Sequence, residues 1–321
     1  MRTRLLAWLQ MHRAASALVA LFVALAVLNS LVAPVFEVSD EYWHYPVVQH
    51  IATTGELPVQ RPGVETAWKQ QGSQPPLYYL ISAGLTAWID TRDMLEVRWQ
   101  NPHAKVGIPG DFDNKNMVIH TDAEAFPWRG TVLAIHLIRF FSVTLGTGSV
   151  ILSYLLAQEL WPGQRTVHLL GTAIMAFNPM FLHIAGSVNN DNLTILFGSW
   201  ILLLAVRLIR HGITPRRAIT LAVVSALATI TKISGATFML AVGLSLLVHG
   251  LSTRRWREVV LTGFAVTVAW LALAGWWYLR NIRLYGEFLG IETHVAVAGG
   301  RSIGLVQLLT TEWYGFWAAY W

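Results

Sequence analysis

An all-helical integral membrane protein is the fold class this sequence predicts, and three observations carry it. The 321 residues are 54% hydrophobic and only 13% charged, against about 25% charged in a soluble domain. The apolar residues come in long runs, as membrane-crossing helices require. The basic residues sit in short turns between those runs. The net charge of +5 therefore speaks for membrane flanks and against nucleic acid.

The first run, 14–36, follows Arg2, Arg4 and Arg13. It is longer than the roughly 7–15 apolar residues of a signal peptide and reads as an uncleaved anchor. With its core at about 14–34, it is the first of seven predicted spans. The others are about 131–160, 166–187, 192–210, 216–231, 233–250 and 258–279. Segment 75–89 is apolar but reaches only about 22 Å as a helix, short of a hydrocarbon core of about 30 Å.

Charge decides how that segment lies. If it does not span, 1–13, 161–165, 207–217 and 252–257 share one side, with 11 basic residues against the bordering Glu159 and Glu258. Segment 35–130 then lies opposite, with 7 basic and 12 acidic residues. This is the asymmetry of the positive-inside rule, so 75–89 is expected to lie in the interface, with Pro75 and Pro76 in its first turn. Four regions follow: a cytoplasmic tail and first span (1–34), a long extracytoplasmic loop with interfacial helices (35–130), six further spans (131–279) and a second outer segment (280–321). Clusters of Gly and Pro at 58–63 and 102–110 mark turns in the loop. The chain has no cysteine, which excludes disulfides and thiolate metal sites.

Polar chemistry collects in three patches on the outer side. Ser39, Asp40, Glu41 and His44 follow the first span. Ser39 would cap a short helix, Asp40 and His44 would share its face, and Pro46 would strain it. The acids are either helix-start residues at a water interface or a reactive pair. Asn178-Pro179 and then Asn189, Asn190, Asp191 and Asn192 form the second patch, read either as a tight turn or as a carboxylate with amide neighbours facing a polar ligand. The third patch is basic. Lys232 and Arg280 lie near span ends, where snorkelling is the alternative to function. Arg139 is deeper and is expected to meet a buried partner or an anionic ligand. Trp276, Trp277 and Tyr278 read as an aromatic belt. The Asn192–Thr194 sequon abuts a span and is discounted, and Gly146 and Gly148 suit helix packing. The spacing of His103, His120 and His136 makes no convincing metal site. The sequence therefore names no required cofactor, and a divalent metal is unsupported.

These patches resemble the integral membrane glycosyltransferases of the GT-C superfamily, in the protein O-mannosyltransferase and aminoarabinose-transferase branch, together with bacterial relatives of uncharacterised function. The resemblance rests on the Asp40-Glu41 pair, the QPPLYY stretch from Gln74 to Tyr79, HLIRFFS from His136, AFNPMFLHIAGSVNNDNLT from Ala176, ATITK ending at Lys232, and GWWYLRN from Gly275. It runs from about Val35 to Gly290. It implies a seven-span module with two interfacial helices in the first loop, and a polyprenyl-phosphate sugar donor used on the extracytoplasmic side. It also implies Asp40 as catalytic base beside Glu41, and Asp191 as the acid after the third span. Two departures stand out. Gln74 occupies the place where the aminoarabinose branch often has a lysine, with Lys69 nearby. The chain also ends at Trp321 in an aromatic stretch, which implies a fragment or a short form without the acceptor-binding part.

The expected activity is inverting transfer of a hexosyl or pentosyl group to a lipid, glycan or protein hydroxyl. Asp40 and Glu41 are the expected catalytic residues. His44, Lys69, Gln74, Arg139, Asn189, Asn190, Asp191, Lys232 and Arg280 are expected to bind substrate, and membrane lipids surround the spans. A transporter or flippase, or a non-catalytic assembly subunit of the same fold, is the alternative. Transporters keep their sites near the midplane, whereas the acids here lie at one face.

Overall fold

A computed structural model describes residues 12–38, 40–105, 113–299, 304–307 and 309–310. Arg2, Arg4, Ser39 with its predicted cap, part of the 102–110 turn cluster, and the aromatic stretch before Trp321 lie outside the described residues. Every regular element described is helical, apart from one isolated bridge between Gln100 and Val118. We label the main helices α1 (Arg13–Val32), α2 (Glu41–Thr54), α3 (Leu77–Thr86), α4 (Gly130–Leu160), α5 (Arg165–Ala176), α6 (Pro179–Ala185), α7 (Asp191–His211), α8 (Pro215–Thr229), α9 (Phe238–Thr253), α10 (Trp256–Leu273), α11 (Gly275–Tyr285) and α12 (Ile291–Ala298).

Five helical segments are long and apolar enough to cross a membrane, and α5 with α6 makes a sixth if that bent pair is one span. The chain is thus a multi-pass membrane protein. The sequence predicts seven spans, and the difference is α8. Its 15 residues rise only about 22 Å, yet it traverses the same layer as α7. Arg217 at its start donates to His211 O at the end of α7. Just past its end, Lys232 reaches Asp191 at the start of α7 at 2.6 Å.

Two predicted spans are broken. Segment 166–187 bends by 63° between α5 and α6. Pro179 has no N–H and its ring crowds the carbonyl four residues back, so α5 cannot continue. Asn178 instead caps α6, its Oδ1 accepting from Phe181 N at 3.1 Å. Segment 258–279 breaks at Ala274, between α10 and α11.

The helices bury narrow stripes and leave wide lipid-facing surfaces. α1 buries Ala15, Phe22, Ala26 and Ser30, spaced by seven or four residues, which is one side of a helix. α7 is the central helix. Gly198 lets Phe238 of α9 lie flat on it, because a Cβ there would sit 2.1 Å from the Phe238 ring. Gly146 packs against Phe22 and Ala185, the predicted role in helix packing.

The first loop carries α2 and α3, and α3, at ten residues, is shorter than the spans and begins one residue after Pro76. Acidic side chains staple this loop together. Glu37 accepts from Met117 N and Val118 N, and His120 bridges Glu37 and Glu124. Asp93 accepts from the N–H and hydroxyl of Thr131, at the start of α4.

Candidate active site

The two ends of the bundle differ in chemistry. Glu159–Arg207 and the His12–Tyr154 contact gather the basic turns at one end. At the other end Asn190 Nδ2 donates to Thr231 O, and Leu77 N donates to Ile230 O. This second end brings together α2, α3, the start of α7 and the turn after α8.

Asp40 stands at its centre. It precedes α2 with a φ of 57°, a left-handed conformation that an Asp tolerates better than most residues but at some cost. Its carbonyl accepts the first helical N–H groups, from Trp43 and His44, while its side chain makes no capping bond. Among the described residues the Asp40 carboxylate accepts no hydrogen bond and stays exposed. Enough protein surrounds it that burial raises its pKa above the ordinary 3.8; Lys232 opposes that rise and Asp191 adds to it. Asp40, Asp191 and Lys232 therefore share one electrostatic neighbourhood.

Asp191 Oδ1 pairs with Lys232 Nζ at 2.6 Å, and both side chains are partly open, at 34% and 24%. Asn189 Oδ1 accepts from Asp191 N at 2.9 Å and so fixes the first turn of α7. Asn190 is buried, with its Oδ1 unpartnered. Gln74, three residues before Leu77 on the facing strand of loop, also has a buried and unpartnered Oε1. Two amide oxygens thus flank the turn at Ile230–Lys232 with lone pairs to offer a hydroxyl donor.

His44 is one helical turn from Asp40 and buried. Its Nδ1 lies 2.7 Å from Tyr79 OH. Burial, with Lys232 adding to the effect, lowers its pKa to about 3, so the imidazole is neutral. Tyr79 shares this electrostatic neighbourhood: burial first, then Tyr78, Asp191 and Asp40, hold its phenol well above the usual value.

Glu41 and Arg139 belong to a different structure. Their side chains are 0% exposed and pair at 2.7 Å. Glu41 also accepts from Phe36 N and Val188 N. Arg139 donates to the carbonyls of Ser30, Ala33 and Pro34. This sealed knot ties the end of α1 to α4 and to the loop before α7. It fulfils the expectation of a buried partner for Arg139, and it leaves Glu41 no access to a substrate.

The remaining predicted residues lie further out. Lys69 Nζ sits 4.7 Å from the Trp43 ring centroid. Arg280 does not snorkel. It donates to Leu57 O and Pro58 O, stacks 4.9 Å from Trp277, and keeps Nη1 buried without a partner. Of the predicted aromatic belt only Trp276 faces outward, because one further step around the helix buries Trp277 and Tyr278 against Ile230 and Ala274. Asn192 is buried and spends its amide on Ile184 O, Ser187 O and Asn189 O, so the sequon is sealed inside the fold.

Sequence reasoning missed Tyr79 as a site residue, although it stands in the QPPLYY stretch. It also missed Ser73 and His294, whose Oγ and Nδ1 meet at 2.8 Å. Lys232 acts electrostatically on His294 as well, so α12 folds back to the rim of the site. Among the described residues no group of three or more His, Asp or Glu side chains is arranged to hold a metal ion.

An all-helical chain with five or six apolar candidate spans has the architecture of a GT-C-like membrane protein. The chain belongs to the dolichyl-phosphate-mannose-protein mannosyltransferase family, whose sequence profile matches residues 110–318; it is a membrane glycosyltransferase. The match covers Asp191 and Lys232 and begins after Asp40, whose assignment therefore rests on geometry. No curated protein matches the chain.

Proposed function

We propose that this protein transfers a glycosyl group, by the family's name a mannosyl group, from a dolichyl- or other polyprenyl-phosphate donor to an acceptor hydroxyl outside the cytoplasm. The observation that carries this reading is the unbonded Asp40 carboxylate beside the open Asp191–Lys232 pair. Asp40 takes the acceptor's proton as general base. The acceptor oxygen attacks the anomeric carbon from the side opposite the phosphate. The bond from that carbon to the phosphate oxygen breaks, and polyprenyl phosphate leaves with inversion of configuration.

Lys232 is the cation nearest this chemistry, and it stabilises charge developing on the phosphate. Asp191 holds Lys232 in place between turnovers. The unpartnered oxygens of Gln74 and Asn190 and the free Nη1 of Arg280 are buried, so they meet sugar hydroxyls and the donor headgroup once donor entry parts the side chains that cover them. Glu41 and Arg139 position the elbow that presents Asp40.

Purified protein given a radiolabelled polyprenyl-phosphate sugar tests the reading: wild type labels an acceptor and Asp40→Asn does not. Orientation is tested separately. The chain has no cysteine, so single probes at the exposed Arg92 in the first loop and the exposed Arg210 at the end of α7 can be labelled without background. Arg92→Cys should label from outside and Arg210→Cys should not.

A further inference from the structure

A second charged recess lies at the end of the bundle away from Asp40. α7 carries the chain from Asp191 to His211, a rise of about 30 Å. There the ends of α4 and α7 and the first turns of α8 enclose a cavity of about 770 Å³. Glu159, Arg207, Arg216 and Arg217 line it, with Trp200 and Leu204 on the apolar side.

Its charge balance favours an anion. Three guanidinium groups face a single carboxylate, and that carboxylate is engaged. Glu159 accepts from Arg207 Nε at 2.6 Å and lies 2.9 Å from His211 Nε2. Arg217 is held in place by donating to His211 O and Gly212 O, which leaves part of its fork of donors unused. Arg216 is exposed, and its guanidinium has no partner among the described residues, its carbonyl alone accepting from Thr220 Oγ1. Fixed arginines with spare N–H groups suit phosphoryl oxygens.

The apolar wall narrows the choice of ligand. Trp200 is 37% exposed and lines the recess with Leu204, one helical turn further on and on the same face of α7 as Arg207, so the wall offers an apolar surface to an acyl chain. The volume is many times that of one phosphate ion, so the recess accommodates a headgroup entering from the membrane plane. Basic pockets between spans have this character.

We propose that the recess binds the phosphate headgroup of an anionic phospholipid, with Arg207, Arg216 and Arg217 as donors and Trp200 and Leu204 seating the start of an acyl chain. The site is separate from the reaction centre and stands whether or not Asp40 is the base.

The test uses the whole protein in phosphatidylcholine nanodiscs, with phosphatidylglycerol titrated in and bound lipid counted by native mass spectrometry after gentle extraction. Wild type should retain phosphatidylglycerol selectively. Arg216→Ala, which removes a side chain without protein partners, should weaken retention about fivefold. Arg210→Ala, on α7 close to Arg207 but outside the recess, should leave it unchanged. A parallel arm adds inorganic phosphate. Competition only at high concentration supports the lipid assignment, and effective competition at low concentration overturns it in favour of a solute phosphate site. Equal retention by wild type and Arg216→Ala, or equal loss in Arg210→Ala, also overturns the proposal.

Discussion

Glu41–Arg139 and Asp191–Lys232 are carboxylate–cation pairs of nearly equal length, 2.7 and 2.6 Å, and they differ in what surrounds the contact. The first is closed to solvent, and every strong donor around it is taken by a backbone carbonyl or the carboxylate. The second is open and involves one contact between two side chains. A sealed ion pair leaves an uncompensated charge in the interior when one partner is lost, whereas an open one is weak and its members can turn to another ligand. The same chemistry therefore builds a joint in one place and a receptive site in the other, with Asp40 and Glu41 as chain neighbours on either side of the division.

The largest effect expected from this division is on turnover. Asp40→Asn should lower transfer by about two to four orders of magnitude, the usual contribution of a general base, without lowering the thermal midpoint. Burial raises the Asp40 pKa above its ordinary value, so the fold works against its negative charge, and the neutral amide does not carry that cost. Radiolabel transfer and thermal unfolding of one preparation check both halves. Wild-type turnover by this variant would remove Asp40 from the mechanism.

The next effect separates the two pairs directly. Arg139→Met should destabilise the protein by about 3–5 kcal/mol, read as a lower midpoint and a poor yield of monodisperse protein. Lys232→Met should cost no more than about 1 kcal/mol and should instead weaken use of the donor. Similar losses of stability in both variants would show that the open pair is a joint as well.

A further effect concerns acid and is absent at neutral pH. His44 is held neutral, with a pKa lowered to about 3 by burial and by Lys232. The unfolded chain binds that proton near 6.5, so the contribution of His44 is complete above pH 6.5 and is lost as pH falls towards 3. The thermal midpoint of wild type should drop across this window, and His44→Gln should show a shallower drop. Parallel profiles would place the acid sensitivity elsewhere.

Much of the bundle was legible because it follows from apolar run length and the sign of the turns. Those two features put Asp191 and Lys232 at one end and Arg207 and Arg217 at the other. Local backbone decisions were harder to read. Pro179 lies inside an apolar run whose composition suits a single helix, and its missing N–H and its ring break it. Asp40 and Glu41 look interchangeable as a pair; the positive φ at Asp40 sends one to water and the other into the core. His294 meets Ser73 across more than two hundred residues, a contact no local pattern encodes.

Pro46 offers the finest probe of how the open side is held in shape. Inside α2 it supplies no N–H to the carbonyl of Tyr42, four residues earlier. Arg98 supplies the donor instead, its Nε lying 3.2 Å from Tyr42 O, while its guanidinium stacks 3.7 Å from the Tyr42 ring centre and Nη2 bonds Ala67 O. The proline that would weaken the helix is thus compensated from across the loop, and α2 continues to Thr54 with Asp40 at its start. Arg98→Gln should cost about 1 kcal/mol for the Tyr42 bond, along with the contact to Ala67. In a Pro46→Ala background the restored helical N–H should make the same change cheaper. A double-mutant cycle on thermal midpoints measures this coupling, and strict additivity would show that Arg98 serves Ala67 and the aromatic stack rather than the gap left by the proline.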